Sequence, residues 1–402
     1  MRDAAARVRT AIEQQGAGHR PLSDRELDAL IPVLAGVMGE QTSLLSEAEE
    51  HDYRVGRMTQ EQGRVLQNLR HHTRLKVIGG AGTGKTFLAL EQARRLARAG
   101  QRVALLCYRR GLARYLERTT QAWPLRERPA YVGLFHQLPV DWGATPPTED
   151  SDDFEDRLPR ELGELAVGRT DLFDSVVVDE GQDFGALWWP SLTACLTDPV
   201  RGGLFVFLDE AQRVFAREGE VPIDLPPYEL SENIRNTKRI AQLFSSMAGA
   251  STFRGMDGPK VRLVDVPEEE ALGAADDAVD ALLDEGWQPG RIALLATGRR
   301  HDLQREAVDS DGYATYWDEF LAERDVFYGH VLGFKGLERP VVVLSVNGFR
   351  DRQRATELLY VGLSRARSLL VVTGPRALVE EIGGPGVAKR LRAAQAWTPT
   401  GG

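Results

Sequence analysis

Residues 76–90 read KVIGGAGTGKTFLAL, an apolar stub, a glycine-rich turn and then a helix-like run. No other stretch limits the possible folds as much. Gly79-x4-Gly84-Lys85-Thr86 matches G-x-x-x-x-G-K-[ST], a pattern with meaning only where a strand delivers the loop and a helix leaves it. Glycines let backbone N–H groups turn inward around an anion, and the helix N-terminus adds a favourable dipole. Gly79, Gly80, Ala81, Gly82, Thr83 and Gly84 would therefore cradle phosphates. Lys85 would reach the β and γ phosphates, and the Thr86 hydroxyl would ligate Mg²⁺. A chain with this loop is expected to be α/β and to bind a nucleoside triphosphate.

The remaining pattern agrees with an α/β fold. Short apolar runs, LKVIGG, RVALLCY, SVVVDE and LFVFLDE, alternate with helix-like stretches between residues 75 and 210. A second series, VRLVDV, RIALLAT, VVVLSV and SLLVVTG, repeats the alternation without a second phosphate loop. Such alternation predicts parallel sheets wrapped by helices. We read a helical N-terminal segment over 1–57 and two α/β domains over 58–230 and 231–395, with the boundary in the region 225–240. The acidic, proline-containing stretch 141–165 is expected to be a surface insertion or loop, and the tail WTPTGG to be disordered.

Composition narrows the partners. At 402 residues with 42% hydrophobic content, the chain can bury two cores. A net charge of −9 means that any nucleic acid would need a local basic groove. Cys107 and Cys195 lack metal-ligand spacing and are expected to be reduced core thiols in a cytoplasmic protein. No secretory leader or membrane-length apolar run is visible, so no membrane partner is expected.

DSVVVDEGQDF ends a strand in acids. Asp179 at the strand tip is placed to hold Mg²⁺, and Glu180 to orient or deprotonate an attacking water. The pair points to hydrolysis of ATP rather than passive binding.

These motifs stand in an ordered series that resembles the UvrD/Rep-like superfamily 1 DNA helicases over residues 58–375. MTQEQ (58–62) is similar to the Q motif, VALLCYRRGLARYL (103–116) to motif Ia, and VGLFHQL (132–138) to the next strand-contacting segment. FLDEAQRVF (207–215), LSENIRNTKRI (230–240), GFKGLERPVVVLS (333–345) and LLYVGLSRARSLLVV (358–372) resemble motifs III to VI. The resemblance implies two RecA-like domains that hydrolyse ATP with Mg²⁺ in the cleft between them while moving 3′ to 5′ on single-stranded DNA or tailed duplex.

By the same resemblance, Gln62 reads adenine and Gln212 senses the γ-phosphate. Arg235 and Arg365 reach the γ-phosphoryl group from the second domain, and Glu338 holds the nucleotide. Arg109, Phe135, His136, Phe215, Phe334 and Lys335 would contact the strand, in a groove also lined by Arg110 and Arg114.

The chain departs from the pattern at four places. Ile234 stands where an aromatic usually follows the motif IV asparagine, Phe87 where Arg is common, and Leu208 where motif III has glycine. Motif V reads HVLGFKGLE, without its usual opening threonine. The segments 117–174 and 241–332 leave little room for large accessory insertions, so the chain looks like a nearly bare motor. It is also similar to the helicase half of NERD-type nuclease–helicase fusions, although 1–57 carries no nuclease carboxylate cluster. The alternative is an ATPase switch acting with a nuclease or another repair or defence partner. A small-molecule kinase would leave motifs IV to VI unexplained.

Overall fold

The computed structural model describes residues 44–59, 61, 63, 65, 66, 69, 71–148, 153–209, 224–248 and 252–399. Residues from Glu47 onward belong to one compact unit. In it the phosphate-loop strand β1 (Arg74–Gly79) is followed by β2 (Val103–Cys107), β3 (Tyr131–Leu134), β4 (Ser175–Val178), β5 (Gly203–Leu208) and β6 (Pro227–Leu230). They form one parallel sheet in the order β3-β2-β4-β5-β1-β6, so β5 separates the phosphate-loop strand from the acidic strand β4.

A second parallel sheet is built from β9 (Arg262–Asp265), β10 (Ile292–Ala296), β11 (Phe327–His330), β12 (Arg339–Ser345), β13 (Ala366–Gly374) and β14 (Gln395–Ala396), in the order β11-β10-β12-β13-β9-β14. Between the sheets, β7 (Glu232–Asn233) and β8 (Thr252–Phe253) pair with each other. Two parallel six-stranded sheets flanked by helices make the α/β, RecA-like pair that was expected.

Parallel strands covered on both faces read as unbroken apolar runs rather than as an alternation. VALLC in β2 shows the consequence. Val103, Leu105 and Cys107 join a cluster with Leu88, Leu96 and Val177 on one face, while Ala104 and Leu106 meet Val176, Trp188 and Leu192 on the other. Every residue of β2 is thereby buried. Both cysteines are free and buried. Among the described residues no helix is long and apolar enough to cross a membrane.

Two local expectations are corrected. The acidic stretch 141–165 is not simply a loop: its described part carries a turn of π-helix at Asp153–Arg157 and a helix at Leu158–Ala166. Leu158, Leu162 and Ala166 lie four residues apart on one buried face, and the surrounding charges masked that stripe. In the tail, the Trp397 N–H donates to the Leu263 carbonyl at 2.9 Å, and the Arg262 guanidinium lies over its ring, so the tail is anchored there.

Candidate active site

β1 ends at Gly79, and the helix Lys85–Arg98 begins after a five-residue turn. The turn between them passes through left-handed backbone at Gly82 (φ 75°) and Gly84 (φ 84°), where a side chain would be strained. The Lys85 amino group folds back onto the loop, donating to the Gly79 carbonyl at 2.7 Å and the Gly80 carbonyl at 2.8 Å. It also lies 3.4 Å from an Asp209 carboxylate oxygen at the end of β5.

β4 delivers Asp179 and Glu180 beside this loop. Glu180 has φ 55°, the left-handed region that a non-glycine residue seldom occupies. Its backbone N–H donates to Asp179 Oδ1 at 3.0 Å, and the Gln182 amide donates to its carboxylate. The other end of Gln182 accepts from the Asp209 N–H at 3.0 Å, which joins the tips of β4 and β5.

Asp179 is sealed from solvent, and its Oδ2 has no hydrogen-bond partner. Burial, and then the neighbouring Glu180 charge, push its carboxyl up to about 7, while the Thr86 hydroxyl and Lys85 oppose the shift. A lone hard oxygen of this kind beside a hydroxyl fits a divalent cation that takes most of its ligands from phosphate and water. Among the described residues no cluster of three acidic, histidine or cysteine side chains offers an all-protein metal cage.

The second half presses on the same loop. The Asn233 amide donates to the Ala81 carbonyl at 2.9 Å, and the Ile234 N–H donates to the Gly82 carbonyl at 3.0 Å. A Cβ on Gly82 would collide with the Asn233 and Asn236 amides, so glycine is required by contact as well as by φ. The Ala81 N–H donates to the Tyr360 hydroxyl at 3.0 Å, and Ala81 packs into the apolar cluster of the second half.

Arg235, Glu338, Ser364 and Arg365 line a crevice with Gly82, Gly84, Lys85, Thr86 and Glu180. Glu338 is shared: Arg235 Nη1 donates to Oε2 at 3.1 Å and Arg367 Nη1 to Oε1 at 3.5 Å. Burial opposes ionisation of Glu338, but Arg235 and Arg367 outweigh it and hold the carboxyl below its ordinary range. Arg365 is braced by the Leu337 carbonyl at 3.2 Å and the Ser364 hydroxyl at 2.7 Å, and burial lowers its pKa.

The structure therefore brings Lys85, Thr86, Asp179, Glu180, Arg235, Glu338 and Arg365 together. Gln62, Gln212 and Phe215 lie outside the described residues.

The residues expected to contact a strand are placed otherwise. Phe135 is fully buried and stacks on Trp188 at 4.9 Å between ring centres. Phe334 is fully buried against Phe320 and Phe327. Apolar packing thus takes the faces that bases would need. His136 is buried edge-on to Trp188, and its Nε2 is 2.7 Å from the Phe154 carbonyl. Lys335 has no exposed surface and lies 2.7 Å from Asp183 and 3.9 Å from Glu180. Arg109 reaches the same Asp183 at 3.3 Å. Burial resists ionisation of Asp183, yet Lys335 and Arg109 hold its carboxyl below the usual range. Lys335 and Arg109 thus act as internal counter-charges in this conformation, not as a surface groove.

Sequence reasoning missed Asn233, Asn236 and Tyr360 as partners of the loop. All three lie inside ENIRN and LLYVGLSRAR, where their polar groups among apolar neighbours were the available signal.

No family model and no curated protein matches the chain. Among solved structures it is similar to the PRRSV helicase, with a TM-score of 0.40 and 15% identity over 75% of this chain and 52% of that one. It is also similar to the helicase nonstructural protein 10 of an arterivirus, with a TM-score of 0.39 and 13% identity over 77% of this chain and 61% of that one. A complex of arterivirus nonstructural protein 10 with DNA gives 0.39 and 14%, over 77% and 62%. The chain spans about half to three fifths of those proteins. Likenesses this loose carry no argument about fold or function, which rest on the geometry above.

Proposed function

We propose that the chain is an ATP hydrolase of the superfamily 1 translocase or helicase type, driven 3′ to 5′ along single-stranded DNA by opening and closing of its two halves. One observation supports this reading above the others: a phosphate loop and the acidic Glu180 share one crevice with Arg235 and Arg365 from the second half. A passive nucleotide binder needs only the loop. Charge spread over γ-phosphoryl oxygens in a transition state is what rigid guanidinium groups stabilise.

In this reading Lys85 moves from the loop carbonyls to the β and γ phosphates, and the loop amides of residues 79–84 hold the rest. Thr86 and Asp179 would hold Mg²⁺, which when bound neutralises phosphate charge. Glu180 orients the attacking water and accepts its proton. Arg235 and Arg365 meet the developing charge, and Glu338 keeps Arg235 extended across the cleft. Gln212 and Gln62 would complete γ-phosphate and adenine recognition.

A second reading is favoured by a specific observation. Cations expected along a strand groove are engaged by acids instead: Arg109 and Lys335 by Asp183, and Arg114 by Asp318 through paired bonds of 2.8 and 2.7 Å. That arrangement suits an ATPase switch whose groove opens only on a trigger, supplied by DNA or by a protein partner such as a nuclease.

ATP turnover with and without single-stranded DNA, at low and moderate salt, separates the two. Strong, salt-sensitive stimulation is the result expected of a motor. A rate indifferent to DNA would reject the motor and leave the partner-gated switch.

A further inference from the structure

The helical segment 47–59 precedes the phosphate-loop half in sequence, yet its side chains grip the other half. Ala48, His51, Asp52 and Val55, at helical spacing, form its inward face: Ala48, His51 and Val55 are buried and Asp52 half-buried. His51 Nε2 lies 2.8 Å from the backbone carbonyl of Arg235. Asp52 Oδ2 lies 2.6 Å from Arg291 Nη2, and its Oδ1 lies 3.3 Å from Arg367 Nη2. Arg367 in turn shares Glu338 with Arg235. Charges therefore alternate along one line: Arg291, Asp52, Arg367, Glu338, Arg235.

We infer that Asp52, with His51 beside it, is a positioning residue that sets Arg235 in the nucleotide crevice from a strap outside both sheets. Glu338 has two guanidinium groups to satisfy and two oxygens to do so. Asp52 takes one side of Arg367 and leaves a carboxylate oxygen of Glu338 for Arg235. Without Asp52, Arg367 turns wholly to Glu338 and competes with Arg235 for it, while Arg291 loses its acid. His51 fixes the Arg235 backbone from the same helix, so side chain and main chain are held together.

The inference rests on the proposed hydrolysis, and its test keeps the two separable. In the full chain, Asp52→Asn is expected to lower kcat for ATP about tenfold or more while KM stays within about threefold. Asp52→Glu should recover most of that loss. In an Arg235→Ala background Asp52→Asn should cause no further fall, since residues acting as one unit are not additive. Wild-type kcat in Asp52→Asn, or the same fractional loss in both backgrounds, would overturn the inference.

A second measurement needs no turnover. Melting of the nucleotide-free chain with Asp52→Asn, Arg367→Gln and both together should show a combined loss smaller than the sum. Additive losses would mean that the two side chains do not act together, and the inference falls. A wild-type chain without any turnover would overturn the functional reading and the positioning role of Asp52 in hydrolysis with it. The melting cycle would still report whether the strap holds, so the two failures are told apart.

Discussion

Asp179 shows what the site demands of single residues. A carboxylate sealed from water beside a second carboxylate resists ionisation, and its carboxyl is raised from 3.8 to about 7. The folded state therefore holds a proton that the unfolded state releases, and stability falls as pH rises from about 4 through about 7. Asp179→Asn removes that cost. Its nucleotide-free form should melt a few degrees above the wild type at about pH 8, and the gain should vanish near pH 4. A melting series over that range checks it, and a gain independent of pH would contradict the cause assigned. Residues such as Lys85, Thr86, Asp179 and Glu180 were legible because their chemistry lies in short contiguous motifs. Tyr360, Asn233 and Asp52 were not, since they meet the loop or the arginines only through the fold. Phe135, Phe334 and Lys335 were misplaced for the converse reason: an aromatic or a lysine in a motif reads the same whether it faces solvent or a buried partner.

Elements repeat the lesson at their own scale. Eight apolar runs in the sequence became β1, β2, β4, β5, β9, β10, β12 and β13, the interior strands of both sheets. The four strands of those two sheets that were not read, β3, β6, β11 and β14, are their four edges; the short pair β7 and β8 was not read either. Edge strands are covered less, so they need no unbroken apolar run: PYEL in β6 is half exposed, whereas VALLC in β2 is buried throughout. Helix pairs carry a testable consequence. The helix Arg110–Gln121 meets the helix Asp302–Ala322, with Trp317 packed at Gly111 and Arg114 clasping Asp318. Both members of that ion pair are about one-third exposed, so it contributes on the order of 1 kcal/mol or less. Asp318→Ala should then shift melting by no more than a few degrees. It should nonetheless tighten single-stranded DNA binding several-fold at low salt, by freeing Arg114 and removing a repelling charge. Unchanged affinity in a titration would mean that this helix pair does not gate a strand.

For the whole molecule, the central feature is that neither half holds a complete site. The first supplies the loop, Thr86, Asp179 and Glu180; the second supplies Arg235, Glu338 and Arg365 and clamps Ala81 and Gly82 through Asn233, Ile234 and Tyr360. On the proposed function, binding of nucleotide is separable from its hydrolysis, because the loop would hold phosphate while the arginines would act on the charge that develops later. The most direct test measures nucleotide affinity and ATP turnover side by side in Arg365→Ala, with Lys85→Ala as the control that should abolish turnover. The account predicts that Arg365→Ala keeps affinity within about threefold while turnover falls about a hundredfold or more. Turnover at the wild-type rate in Arg365→Ala would contradict it, because hydrolysis would then belong to the first half alone.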